Sequence, residues 1–206
     1  MFEDGFQSEI ESAALATGYG PILRNSGRES FSLRQQIFEQ VRASGRIARA
    51  TIARSLDVSP GSVTALTAEL IADGFLREVE GATRETSRGR PPVALEVVPE
   101  ALRVVGVKLS DETHTAVLTD LAGNLLASAA LGSTTDKKTA ADLLKDTENL
   151  MTQLCTSAGI PTDTISAIGV GISGIVDFES GMVAWSPLLQ KADVPLGQIF
   201  ADHFET

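Results

Sequence analysis

The dipeptide Ser59-Pro60 fixes where one helix of this chain must begin. Proline has its φ locked near the helical value and lacks an N–H, so it is tolerated in the first helical turn and excluded further in. A serine just before it supplies a side-chain oxygen that can cap the free amides of that turn. Immediately upstream, Asp57-Val58 closes a shorter helical pattern over 49–56, whose inward positions are Ile52, Ala53 and Leu56. Two helices therefore meet across a tight turn. A third precedes them: Ser30 or Ser32 can cap it, and Leu33, Ile37, Phe38 and Val41 recur at helical spacing until Gly45. The helix that Pro60 opens carries Val63, Leu66, Leu70 and Ile71 on its inner side and stops at Asp73-Gly74.

Two strands follow, over 75–79 and 93–98, separated by a polar, turn-rich stretch at 81–92 and closed by Pro99. Three short helices and a hairpin make a winged helix-turn-helix, expected over residues 30–99. In that plan the third helix enters the major groove of double-stranded DNA and its N-terminal residues reach base edges. Here those are Pro60, Gly61, Ser62, Thr64 and Ala65, with Ser59 near a phosphate. Such small side chains permit close approach and offer few donors, so base reading by this helix is expected to be modest. Arg46, Arg49 and Arg54 are the expected phosphate contacts, although a solvated helical face is the plainer account for some of the head's arginines. In the hairpin, Arg88-Gly89-Arg90-Pro91 is a narrow extended run that suits an A·T-rich minor groove, whose small width deepens its negative potential. The competing reading is a small winged helix that contacts proteins and no DNA.

The charge balance agrees with DNA binding by one domain only. The chain is acidic overall, at −10, yet residues 24–90 hold 11 arginines and no lysine against 8 acidic residues. Residues 91–206 hold 6 basic side chains against 15 acidic ones. Arginine is the better fork for phosphates and base edges. No apolar run is long enough to span a membrane, and the acidic start lacks the features of a secretory signal. A single cysteine, Cys155, and two histidines, His114 and His203, leave no disulfide and no metal cluster to build. A cytoplasmic protein without cofactor or metal is the expectation.

After Pro99 the pattern becomes α/β. Short strands are expected over 104–109, 114–119 and 125–129, the last two joined by a tight turn at Leu121-Ala122-Gly123-Asn124. A helix over 138–157 has Leu143, Leu144, Leu150, Met151 and Leu154 to pack on the sheet. Residues 165–172 form a nearly all-apolar strand, the pattern of a buried parallel position. A glycine-containing loop, a short strand at 183–185 and a helix near 195–204 complete the chain. Cys155 reads as a core filler, His114 as structural, and Trp185 as packed against the fourth strand. Asp177 can cap its loop or touch a ligand; Gly171 and Gly174 relieve backbone crowding or contact an effector.

Taken together, residues 30–206 resemble the ROK family of sugar-responsive repressors and sugar kinases. Its repressor branch joins a winged helix through Arg-Gly-Arg-Pro to an actin-like, ribonuclease-H-like body. Residues 105–111 resemble the family's first phosphate-loop strand and residues 119–123 its following hairpin. Residues 168–177 resemble its substrate-lobe loop, and Ser186-Pro187-Leu188-Leu189 its sugar-contacting segment. The resemblance implies a fold that is α/β overall, with a winged helix over 30–99 and a partial body, first lobe only, over 100–206. Residues 1–29 lie outside it and, lacking sustained periodicity, read as a mobile arm with a short helix at 7–16. It implies a DNA-binding repressor of sugar-utilisation genes acting as a homodimer, with a sugar or sugar derivative as effector near Gly171, Gly174, Asp177 and Leu188. The family's kinases have Asp at Lys108 and a Gly-Gly pair at Ser110-Asp111, where backbone amides must approach phosphates. Those departures, and the lack in this chain of a counterpart to the family's catalytic aspartate, sugar-loop histidine and zinc-loop cysteines, argue against an enzyme. With no second lobe, the chain reads as a fragment of a longer regulator, or else as a shortened regulator whose exposed face is covered by a second copy. A kinase-related protein with an added DNA-binding domain is the alternative.

Overall fold

The computed structural model describes residues 32–80, 93–134 and 136–204. They pack as two compact units: Met1–Ala101 with Leu121–Asn124, and Leu102–Asp120 with Leu125–Thr206, each within its described residues. The arm expected over 1–29, with its short helix at 7–16, and the wing stretch at 81–92 lie outside the described residues.

In the first unit, α1 (Leu33–Ser44) starts at a reciprocal capping box. Ser32 Oγ accepts from the Gln35 amide at 3.3 Å, and Gln35 Oε1 accepts from the Ser32 amide at 2.9 Å. The two-residue strand β1 (Ile47–Ala48) leads into α2 (Arg49–Leu56), which ends at Asp57 with φ +54°. Aspartate is one of the few non-glycine residues that adopts this left-handed turn without large penalty. Helix α3 (Pro60–Ala72) then begins as the sequence requires, with Ser59 Oγ accepting from the Ser62 amide at 3.0 Å and Pro60 in the first turn.

Strands β2 (Leu76–Glu80) and β3 (Val93–Val97) pair antiparallel from Leu76↔Val97 to Glu80↔Val93, and β1 adds to the far side of β3. Ile37, Val41, Ile52, Val63, Leu70, Leu76 and Leu95 close one apolar core under the helices. Each of these larger side chains contributes about 1.5–3 kcal/mol by leaving water, which is what holds three short helices to so small a sheet.

The second unit is built on a meander, β4 (Arg103–Leu109), β5 (Thr113–Asp120) and β6 (Leu125–Gly132), covered by α4 (Ala140–Ala158). Val105, Val107 and Leu109 alternate inward along β4 and meet Leu143, Leu150 and Leu154 of the helix. Cys155 is buried, as a core filler should be. Helix α4 has its own capping box, Thr139 with Asp142, and ends at Gly159 with φ +66°.

Strand β7 (Ala167–Ile172) runs parallel to β4, giving the order β6-β5-β4-β7. Its apolar composition predicts full burial, and here the structure differs. Within the described sheet β7 is an edge, and most of its residues are exposed, Val170 among them. The loop expected after it contains a further short strand, β8 (Ile175–Asp177), paired with β9 (Met182–Trp185). Trp185, expected to be buried against this strand, is 53% exposed, and Phe178 is 95% exposed. Helix α5 (Leu196–Phe204) buries Leu196 and Phe200 against this end of the unit. Among the described residues, no helix is long and apolar enough to cross a membrane, and no group of three potential metal ligands gathers.

Candidate nucleic-acid interface

The first turn of α3 presents Ser59, Pro60, Gly61, Ser62, Thr64 and Ala65 to solvent, while Val63, Thr67 and Leu70 point into the core. The exposed set follows from helical spacing: Val63 and Thr67 lie one turn apart, and the residues between and before them face away. No acidic residue lies in this turn, so the partial positive charge of the helix N-terminus is not offset there. Ser59 and Ser62 hydroxyls are 2.8 Å apart, and Thr64 Oγ1 donates to the Pro60 carbonyl at 2.8 Å. A side chain at Gly61 would meet only Ser59 Oγ, at 3.8 Å. The fold therefore does not require glycine at this position, and the open surface must have another reason or none.

The arginines divide sharply. Arg46 and Arg77 donate to the two oxygens of Glu96, each at 2.7 Å, and Arg77 also faces Glu100 at 3.7 Å. The hydrogen bond from Arg77, joined by that from Arg46, holds the Glu96 carboxyl below its ordinary pKa. Arg49 Nε donates to Thr67 Oγ1 at 2.8 Å, and its guanidinium pairs with Glu78 at 2.8 Å. Arg34 pairs with Asp73, and Arg42 with Glu39. Arg54 alone among the described arginines of this unit has no carboxylate partner; it donates to the Ala50 carbonyl and to Thr51 Oγ1, both at 3.3 Å. Arg49, Arg54, Pro60 and Thr64 line one groove together with Asp57 and Val58.

Sequence spacing thus finds the three arginines but not their partners. Glu96 is 50 residues from Arg46, and Thr67 is 18 from Arg49, so no helical or hairpin spacing points to either pair. Arg88, Gly89 and Arg90 lie outside the described residues.

In the second unit the proposed effector residues do not converge on a polar cavity. Gly174, with φ +148°, is fixed by packing: a Cβ there would sit 2.1 Å from the Trp185 carbonyl oxygen. Asp177 caps its turn, accepting from the Ser180 hydroxyl at 2.7 Å and the Glu179 amide at 3.1 Å, which holds its carboxyl below the ordinary range. Leu188 is buried in the core and has no side-chain surface for a ligand, which corrects the expectation drawn from its segment. Gly171 lines a pocket of about 440 Å³ with Ile168, Phe178, Phe200 and Phe204. No polar side chain lines it among the described residues, whereas a sugar needs several convergent hydrogen-bond partners.

At the loop compared with kinase phosphate loops, Lys108 is exposed on β4, and the Ser110 amide donates to His114 Nδ1 at 3.1 Å. Ser110 Oγ donates to the Thr113 carbonyl. His114 is fully buried, as a structural histidine would be, and its Nε2 lies 3.4 Å from Asp146 Oδ2, which accepts from Lys138 Nζ at 2.8 Å. Burial lowers the His114 pKa from its ordinary value, so the ring is neutral and can accept at Nδ1.

No family model matches the chain. The xylose repressor of Caldicellulosiruptor bescii is 29% identical over 162 residues, covering 77% of this chain and 39% of the repressor. The DNA-binding transcriptional dual regulator NagC of Escherichia coli is 28% identical over 163 residues, 78% of this chain and 39% of NagC. The chain thus spans about two fifths of the length of these relatives. Among solved structures, a ROK family transcriptional regulator homologous to the Escherichia coli Mlc protein superposes with a TM-score of 0.62 at 22% identity, covering 82% of this chain and 42% of that one. The two share a mixed α/β fold. Over the stretch it shares with them, the chain is similar to these sugar-gene regulators in sequence and to a ROK family transcriptional regulator in fold.

Proposed function

We propose that this chain acts as a DNA-binding, sugar-responsive transcriptional repressor. One observation carries the reading: the exposed first turn of α3, free of acidic residues and set on a rigid three-helix core, is a surface shaped for the major groove. The names of its relatives, a xylose repressor and a DNA-binding dual regulator, support it. In this reading Ser59, Pro60, Gly61, Ser62, Thr64 and Ala65 face the groove, with the exposed Arg54 of α2 toward the backbone. Arg88 and Arg90 enter an adjacent A·T-rich minor groove.

Two copies on two half-sites fit the usual geometry of such heads, and the exposed Phe178, Ile175 and Trp185 of the second unit offer apolar surface for self-association. The chain works in the cytoplasm, where its DNA is. A sugar or sugar derivative serves as its effector. The commitment of the Ser110 amide to His114 speaks against phosphoryl transfer at that loop, because a phosphate would need that amide free.

Mobility shifts on promoter fragments, run at several salt concentrations against random duplex, test the reading. Binding that prefers an A·T-containing operator supports it. Equal affinity for every duplex, or none, overturns it.

A further inference from the structure

We infer that Arg54 is the phosphate-anchoring arginine of the described head, and that the other five arginines are held in place as structural cations by carboxylates. The inference rests on the DNA-binding reading above and refines how that site works.

Residues 32–80 and 93–101 contain six arginines against eight acidic side chains, so the described head is not basic. Its electrostatic attraction for DNA must therefore come from individual unneutralised cations rather than from a net field. Five of the six guanidinium groups face a carboxylate: Arg34 with Asp73, Arg42 with Glu39, Arg46 and Arg77 with Glu96, and Arg49 with Glu78. For Glu96 the pairing is complete, because each oxygen takes one arginine and the carboxylate is only 13% exposed. A phosphate that recruited Arg46 or Arg77 would leave this half-enclosed charge short of a donor, a costly exchange.

Arg49 is tied on two sides, to Thr67 of α3 and Glu78 of β2, and so bridges three elements of the head. Arg54 has only two long hydrogen bonds along its own helix, to a neutral carbonyl and a hydroxyl. It is exposed and lines the same groove as Pro60 and Thr64, beside the turn of α3 assigned to the major groove. Reorienting it toward a phosphate breaks no ion pair.

The test is the salt dependence of affinity for an operator duplex, measured on the full chain. Each phosphate contact contributes a slope of about −0.9 in log K against log salt. Arg54→Ala is expected to make the slope shallower by about one, Arg54→Lys to preserve it, and Arg77→Gln to leave it unchanged. Thermal melts by circular dichroism accompany each variant, so that a shallower slope is read only from folded protein. Arg49→Gln is expected to lower the melting temperature without changing the slope. An unchanged slope in Arg54→Ala, or an equal loss of slope in folded Arg49→Gln, overturns the assignment while the DNA-binding reading survives. Wild-type protein that binds no duplex at low salt overturns both.

Discussion

Arg49 Nε donates to Thr67 Oγ1 at 2.8 Å, joining the start of α2 to the buried side of α3. Thr67 is itself fully buried and donates to the Thr64 carbonyl, so the hydroxyl has a partner for each of its roles. The bond fixes the relation of the two helices of the turn motif from beneath, while the surface above stays free. Thr67→Val keeps the shape and burial but removes the acceptor. Hydrogen bonds to charged groups contribute about 1.5–3 kcal/mol; with Arg49 partly exposed and still paired to Glu78, a loss of about 1 kcal/mol is expected. Urea denaturation monitored by circular dichroism measures it, and an unchanged midpoint would remove this clasp from the account.

Gly61 separates folding from binding. A methyl group there meets nothing closer than Ser59 Oγ at 3.8 Å, so the helix accepts it. Gly→Ala at a compatible helical position stabilises by roughly 0.4–1 kcal/mol, by restricting the unfolded chain. If the first turn of α3 lies close against DNA, the same methyl intrudes. Gly61→Ala is therefore expected to melt higher and bind operator more weakly. A variant that gains stability with full affinity would show that this turn stays clear of the groove.

Burial of His114 sets a pH dependence whose sign is determined. Its folded-state pKa lies below the unfolded value near 6.5, so the unfolded chain takes up the proton first. The stability tied to the neutral ring is complete above that value and falls away as pH drops from it toward the folded-state pKa. Protonation would also destroy the acceptor at Nδ1 for the Ser110 amide. Denaturation midpoints at pH 7.5 and 5.5 should differ in the wild type and converge in His114→Gln. Equal pH sensitivity in the two would assign the effect to other groups.

What was legible in the sequence follows from the range of the forces involved. Ser32, Gly45 and Ser59-Pro60 act within one helical turn, and each marks a boundary the structure keeps. Strand β1 was hidden because two residues, Ile47 and Ala48, cannot display an alternation; it exists through β3, nearly fifty residues away. Strand β7 shows the converse. Its apolar run correctly announces a parallel strand, yet burial depends on what lies beside and across it, and no local pattern encodes that. The site was legible to the same degree. The exposed turn of α3 is a matter of periodicity, whereas the neutralisation of Arg46 and Arg49 by Glu96 and Glu78 is a tertiary fact.

Those neutralised arginines place more weight on Arg88 and Arg90. If the head's own cations are largely committed, attraction to DNA should depend strongly on the Arg-Gly-Arg-Pro run, with a preference for narrow A·T-rich minor grooves. Arg88→Ala combined with Arg90→Ala is expected to weaken operator binding at least about tenfold and to make the salt slope shallower by about two, since each phosphate no longer neutralised removes about 0.9. It should also erase the penalty for replacing flanking A·T pairs by G·C. The decisive comparison pairs this double variant with Arg54→Ala on both duplexes. Arg54→Ala should weaken binding to the two alike, because a phosphate contact carries no sequence information. The wing variant should weaken binding to the A·T-rich duplex more. A wing variant that binds both duplexes with equally reduced affinity would make Arg88 and Arg90 further phosphate ligands and shift discrimination back to the first turn of α3.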